Sequence, residues 1–168
     1  MGKLCTACCS LDATSARIKG RKRAAGVGSV QQVEEKTVAL DLRQIEVFKP
    51  YDQELPHSLL EEEAFSDETI ARWLDAEILR VGKLGSEVLG VYAMERADAT
   101  RFLLHGVVVS RSTRKQRLGR WLVGHAIGVA ESKGGRHLQA AGNRSSRLYM
   151  RMGFTQRDGQ HIFDMIQE

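Results

Sequence analysis

Arg114, Lys115, Arg117 and Arg120 crowd into the seven residues from Arg114 to Arg120, with Gly119 among them. The run lies between an apolar stretch ending in Val107-Val108-Val109 and an amphipathic stretch opening at Leu118. A strand that passes through a basic turn into a helix N-terminus is suited to cradle a pyrophosphate, because the first helical N–H groups lack partners and carry partial positive charge. The backbone N–H groups of Leu118, Gly119 and Arg120 would meet the phosphates, with the Arg114, Arg117 and Arg120 side chains at the rim. Two groups nearby suit proton transfer. His105 alternates with Leu103 and Val107 and so is predicted to share their face, and an imidazole can accept a proton near neutrality. Glu95, at the end of the preceding apolar stretch, is the other candidate base. A lone histidine in an apolar strand is also a common structural residue, so the base stays open between the two.

These residues need a frame. Thr37 to Phe48, apolar with interleaved polar residues and broken at Pro50, predicts a first strand. Leu59 to Phe65 and Asp67 to Ala76 predict two short helices, the second with Ser66 as N-cap. Glu77–Leu84, Glu87–Glu95 and Phe102–Ser110 predict an antiparallel meander, separated by Gly85-Ser86 and by Arg96 to Arg101. Arg117 to Lys133 carries Leu118, Trp121, Leu122, His125, Ala126 and Val129 at helical spacing, and Gly134-Gly135 stops it. His125 on that face is expected to pack. Gly124 and Gly128 inside the helix cost about 1 kcal/mol each against Ala, which suggests close packing on a sheet. His137 to Ala141 predicts a strand, Arg144 to Met152 a helix, and Thr155 to Ile166 a hairpin turning near Asp158-Gly159. The order is that of a mixed α/β sheet.

Val107-Val108-Val109, the run Arg114-Lys115-Gln116-Arg117-Leu118-Gly119-Arg120, and Tyr149-Met150-Arg151-Met152-Gly153-Phe154 together resemble the acetyl-CoA-dependent GNAT N-acetyltransferases. The first part follows that family's Arg/Gln-x-x-Gly-x-Gly/Ala signature and the last its Tyr-x-x-x-Gly-Phe segment. The resemblance implies a mostly antiparallel central sheet flanked by helices, with two central strands splaying apart to admit acetyl-CoA as co-substrate. It implies that backbone groups of Val107, Val108 and Val109 hold the pantetheine and that Tyr149 protonates the departing thiolate. It also implies that the region between the first two helices shapes the acceptor pocket. Glu61, Glu62 and Glu63 there are either a solvated face or carboxylates that attract a cationic amine. The chain departs from the family twice. Arg117 replaces the first motif glycine, which predicts a narrower or rearranged cradle. Asn143 stands six residues before the tyrosine where the family's asparagine stands seven before, with Gly142 in that place; Asn143 remains a candidate helix cap and cofactor contact.

A chain of 168 residues, 42% hydrophobic, is large enough for one core without disulfides or metals, and none is expected. Its net charge of +4 is concentrated at one end: residues 1–30 hold six cations against Asp12 alone, leaving the remainder at −1. That distribution argues against a nucleic-acid partner for the folded body. Residues 1–32 read as a disordered basic extension and 33–168 as the GNAT domain. The opening Met1-Gly2-Lys3-Leu4-Cys5-Thr6 fits the N-myristoylation pattern, with Cys5, Cys8 and Cys9 available for palmitate and Lys19 to Arg23 as a polybasic stretch. The extension is equally the composition of a transit peptide or a nuclear signal. A cytoplasmic location is the expectation, with lipid anchoring through Gly2 and the three cysteines as the alternative. No cysteine lies beyond Cys9, so a covalent acyl-cysteine in the domain is excluded.

Two functions are consistent with these residues. One is direct acetyl transfer from acetyl-CoA to a primary amine of a small molecule or protein. The other is a catalytically weak acetyl-CoA-binding regulatory module acting on a partner protein. Acceptor identity and oligomeric state have no motif.

Overall fold

A polar turn replaces most of the first predicted strand. In the computed structural model, which describes residues 39–140 and 145–165, the Asp41 side chain accepts the Arg43 N–H at 3.0 Å and starts a 3-10 turn over Leu42–Gln44. A side chain that bonds its own backbone competes with a strand ladder, so only β1 (Glu46–Phe48) is extended. The helices α1 (His57–Glu61) and α2 (Asp67–Leu74) follow. The first is shorter than predicted because the chain turns out at Ala64, which is left-handed at φ 54°. The second starts where the sequence places it, with Ser66 Oγ accepting the Thr69 N–H.

The meander forms as predicted from β2 (Ile78–Leu84), β3 (Glu87–Arg96) and β4 (Arg101–Val109), each antiparallel to its predecessor. The chain then crosses through α3 (Leu118–Ser132) to β5 (His137–Ala140), which runs parallel to β4. After α4 (Ser146–Arg151), a hairpin of β6 (Thr155–Arg157) and β7 (Gln160–Asp164) closes the described chain. Its turn puts Asp158 and Gly159 at φ 50° and 76°, the pair of left-handed residues that a two-residue hairpin requires. The result is one seven-stranded sheet in the order β1-β2-β3-β4-β5-β7-β6, antiparallel except at β4–β5.

Each face of the sheet carries its own core. On one, Leu118, Leu122, Val123, Ala126 and Ala130 of α3 and Tyr149 of α4 pack against Tyr92, Met94, Phe102 and Leu104. On the other, Leu59, Leu60, Ile70 and Trp73 cover Leu79, Val81, Val91, Ala93 and Val108. Each fully buried aliphatic side chain contributes about 1.5–3 kcal/mol, so both faces stabilise the sheet. The buried stripe of α3 includes Val123 and Ala130 and leaves Trp121, His125 and Val129 at its margin. His125 packs there, its Nδ1 2.8 Å from Tyr92 Oη, and burial with the nearby Arg80 charge lowers its pKa. Close packing does not explain Gly124 and Gly128. Both are exposed, and a Cβ at Gly128 would meet nothing within 4 Å.

No helix among the described residues is long and apolar enough to cross a membrane. The acylation candidates Gly2, Cys5, Cys8 and Cys9, the Lys19–Arg23 stretch, and Asn143 lie outside the described residues.

Candidate active site

The pairing of β4 with β5 runs from Arg101–His137 to Leu104–Ala140, and among the described residues it ends there. β4 continues to Val109, still bonded to β3 on its other side. Ser110 N–H donates to the Leu89 carbonyl at 2.8 Å, which fixes the alternation of the strand end. Counting back by twos, the main-chain groups of Val108 face β3, whereas those of Val107 and Val109 face the open side. Val108 therefore serves the sheet, with its side chain buried against α1 and α2; Val107 and Val109 present an edge with no partner strand among the described residues.

The opening leads directly to the start of α3. There is no side-chain cap, and the first intrahelical bond is Trp121 N–H to the Arg117 carbonyl. The N–H groups of Leu118, Gly119 and Arg120 thus lack intrahelical acceptors. Arg117, where the sequence predicts a narrower or rearranged cradle, adopts φ 69° and ψ 0°, the left-handed conformation that glycine takes without cost. Holding it there costs about 1–2 kcal/mol for a residue with a Cβ. Lys115, at φ 65°, bears a second such cost. Two left-handed residues with side chains in one short loop are backbone strain of the kind that collects at binding sites.

A cleft of ≈ 400 Å³ lies against this loop. Arg114, Lys115, Arg117, Arg120 and Arg151 line it, with Val109, Leu118, Gly119 and Leu148, and among the described residues no carboxylate does. A methyl group at Gly119 would meet Leu148 and Val109 at 3.6 and 3.7 Å, which is ordinary contact. Packing within the protein therefore does not require glycine there; the bare backbone leaves room for something in the cleft. A cationic cleft that ends in free helix N–H groups fits a diphosphate, and the unpaired edge beside it fits an extended amide-bearing chain.

Tyr149 reaches the sheet from α4, on the α3 side. Gly153, at φ 92°, ends α4, and Phe154 N–H turns back to the Tyr149 carbonyl at 3.1 Å. Phe154 thereby packs its ring 5.2 Å from that of Tyr149. Burial pushes the Tyr149 hydroxyl up to about 12, partly offset by a hydrogen bond with Ser145. It is a donor at any ordinary pH.

His161 was not singled out by sequence reasoning. It is fully buried on β7, its Nε2 2.9 Å from Ser146 Oγ and its ring 5.5 Å from Tyr149. The alternation of His161 with Phe163 along β7 is the signal that could have found it.

His105 does not share a face with Val107. The β3–β4 register jumps from Ala93–Gly106 to Met94–Leu104, so His105 is the extra residue of a β-bulge. The bulge restarts the alternation, leaving Val107 on the α3 face. His105 Nε2 lies 3.5 Å from Glu95 Oε2, and Glu95 follows Ala93 and Val91 onto the α1–α2 face. That contact is too poorly aligned for a hydrogen bond, so the buried Nε2 has none. Glu95, its side chain 46% exposed, connects the pair to solvent. Next to His105, a Cβ at Gly106 would come within 3.0 Å of the Trp73 indole. Tyr149 and the His105–Glu95 pair thus belong to opposite faces of the sheet on either side of the opening.

Among solved structures, the IAA acetyltransferase from Bacillus cereus ATCC 14579 superposes with a TM-score of 0.62 at 19% identity, over 72% of this chain and 99% of that one. A GNAT family acetyltransferase from Elizabethkingia anophelis with acetyl-CoA bound gives 0.62 at 18% identity, over 73% and 99%. The N-acetylglutamate synthase from Neisseria gonorrhoeae, complexed with coenzyme A and N-acetyl-glutamate, gives 0.59 at 18% identity, over 70% of this chain but 34% of that one. At these identities the likeness establishes the fold. Among curated proteins none matches in sequence. A family model described as the acetyltransferase (GNAT) family matches residues 39–154, from the segment before β1 to the Phe154 that packs on Tyr149, and the chain belongs to that family.

Proposed function

We propose that the chain is an N-acetyltransferase that moves the acetyl group directly from acetyl-CoA to a primary amine of a small molecule or protein. The observation that carries this reading is the edge of β4, without a partner strand among the described residues, leading into the cationic start of α3, which has no side-chain cap. Leu118, Gly119 and Arg120 would hold the diphosphate through backbone N–H groups, with Arg117 and Arg120 side chains around it. Val107 and Val109 would hold the pantetheine amides. Acetyl-CoA supplies an acyl group activated as a thioester, which passes to the amine nitrogen as the C–N bond forms and the C–S bond breaks. The His105–Glu95 pair takes the proton that the amine loses, with Glu95 delivering it to solvent. The Tyr149 hydroxyl gives a proton to the departing sulfur. Residues 39–165 contain no cysteine, which supports a single direct transfer.

The test is release of free thiol from acetyl-CoA by the full-length chain against a panel of primary amines and peptide N-termini. It is paired with thermal unfolding with and without acetyl-CoA. A ligand at a hundredfold excess over its dissociation constant stabilises the native state by about 2.7 kcal/mol. A stability shift with amine-dependent thiol release is the expected result. A shift without release from any amine would replace the enzyme reading with the regulatory-module reading, and no shift would remove acetyl-CoA from both.

A further inference from the structure

Of the five cations lining the cleft, Arg114 is the one that, among the described residues, is engaged in an ion pair. Its Nη2 meets the Glu63 carboxylate at the corner between α1 and α2, and its Nε donates to the Val109 carbonyl at 3.3 Å. Arg111 adds a second tie to the same corner, donating through Nη2 to the Glu62 carbonyl at 2.8 Å. The arginine that opens the basic motif is therefore held by a carboxylate from the α1–α2 side, and it occupies a carbonyl of the open edge. The corner is itself strained, with the adjacent Ala64 at φ 54°.

We propose that Glu63 competes with the diphosphate of the ligand for Arg114, so that loading the cleft breaks the Arg114–Glu63 pair and frees the α1–α2 corner. This rests on the acetyl-CoA reading above. A diphosphate offers the guanidinium several charged oxygens in matching geometry, whereas a partly exposed carboxylate pair is weak, so the exchange runs toward the ligand. Linkage then makes Glu63 an affinity-setting residue: the factor by which the pair weakens ligand binding is the factor by which the ligand weakens the pair. Because Glu63 lies between the first two helices, the exchange also tells the acceptor side that the cleft is loaded.

A double-mutant cycle tests this, with coenzyme A as the probe, isothermal calorimetry as the readout, and the full-length chain. Glu63→Gln is expected to tighten coenzyme A binding about three- to five-fold, the range an exposed ion pair allows. In an Arg114→Met background the same change is expected to do nothing. Glu62→Gln, one residue away and exposed, leaves affinity unchanged. Equal tightening by Glu63→Gln in both backgrounds would reduce the effect to long-range charge and overturn the competition. So would no tightening in either. Failure of the unmodified chain to bind coenzyme A would overturn the acetyl-CoA reading and this proposal together, whereas binding with additive substitutions overturns this proposal alone.

Discussion

The two sides of the β4 opening are built from different materials. On the α3 side the candidate cofactor site is largely main chain: the edge of Val107 and Val109, the first N–H groups of α3, and a bare Gly119. On the α1–α2 side the groups near the opening are side chains: His105, Glu95 and Trp73, with Glu63 at the helix corner. Main-chain geometry survives many substitutions as long as the turn keeps its shape, and Arg117 shows this by taking a glycine conformation without being glycine. Side-chain geometry changes with each residue. A fold built this way can keep one donor and exchange acceptors, which is why family membership here identifies acetyl transfer and leaves the acceptor to experiment.

Predictions follow that contrast in order of size. Tyr149→Phe is expected to lower kcat about 10²–10³-fold with the KM for acetyl-CoA unchanged, since it removes a proton donor and no binding contact. A matching rise in KM would place Tyr149 among the binding groups instead. The same variant carries a stability signature. The folded chain keeps the Tyr149 proton up to about 12, whereas an unfolded tyrosine releases it near 10. This contribution is intact below about pH 10 and is lost as pH rises to 12, at about 1.4 kcal/mol per pH unit. Urea midpoints over that window should fall less steeply in Tyr149→Phe, with buried Tyr92, shifted in the same direction, leaving a residual slope.

His105→Asn is expected to lower kcat/KM about 10²-fold and Glu95→Gln about tenfold, with the acid limb of the pH–rate profile altered in each. A larger effect at Glu95 would make the carboxylate the base. Gly119→Ala separates ligand from protein. The added methyl fits its protein neighbours and suits a helix, so the ligand-free chain should gain about 0.5–1 kcal/mol in denaturant melts. Coenzyme A affinity should fall about tenfold, because the methyl occupies the approach to the diphosphate. Equal affinity would mean that the ligand does not come close to this backbone. Gly128→Ala, on the exposed side of α3 with no neighbour within 4 Å, should raise stability by about 1 kcal/mol and leave turnover as it was.

The sequence was most legible where local chemistry decides the structure. The Ser66 cap, the Asp158-Gly159 turn, the meander and the long helix could be read because each depends on a few neighbouring residues. The strand and helix that flank the basic turn were legible for the same reason, being contiguous in the chain. The acceptor side was not. Period-two counting carried His105 onto the face of Val107, because an inserted residue leaves no mark in the pattern of apolar positions, and the bulge became visible only against β3. The Arg114–Glu63 pair was hidden as well, since nothing local announces a carboxylate 51 residues away. His161 escaped notice because its partner Ser146 belongs to a different element.

The single parallel junction of the sheet bears on how the molecule comes apart. β2, β3 and β4 are joined by short turns, and β6 and β7 form another local hairpin, so each group can assemble from contacts near in sequence. Among the described residues the sheet ladder between the two groups is the four residue pairs of Arg101–Leu104 with His137–Ala140, and it needs the whole of α3 as a connector. Pairing so distant in sequence is expected to form after the local hairpins. A molecule lodged between β4 and β5 would act as a rivet across it, and its presence should be read most clearly in a slower rate of unfolding.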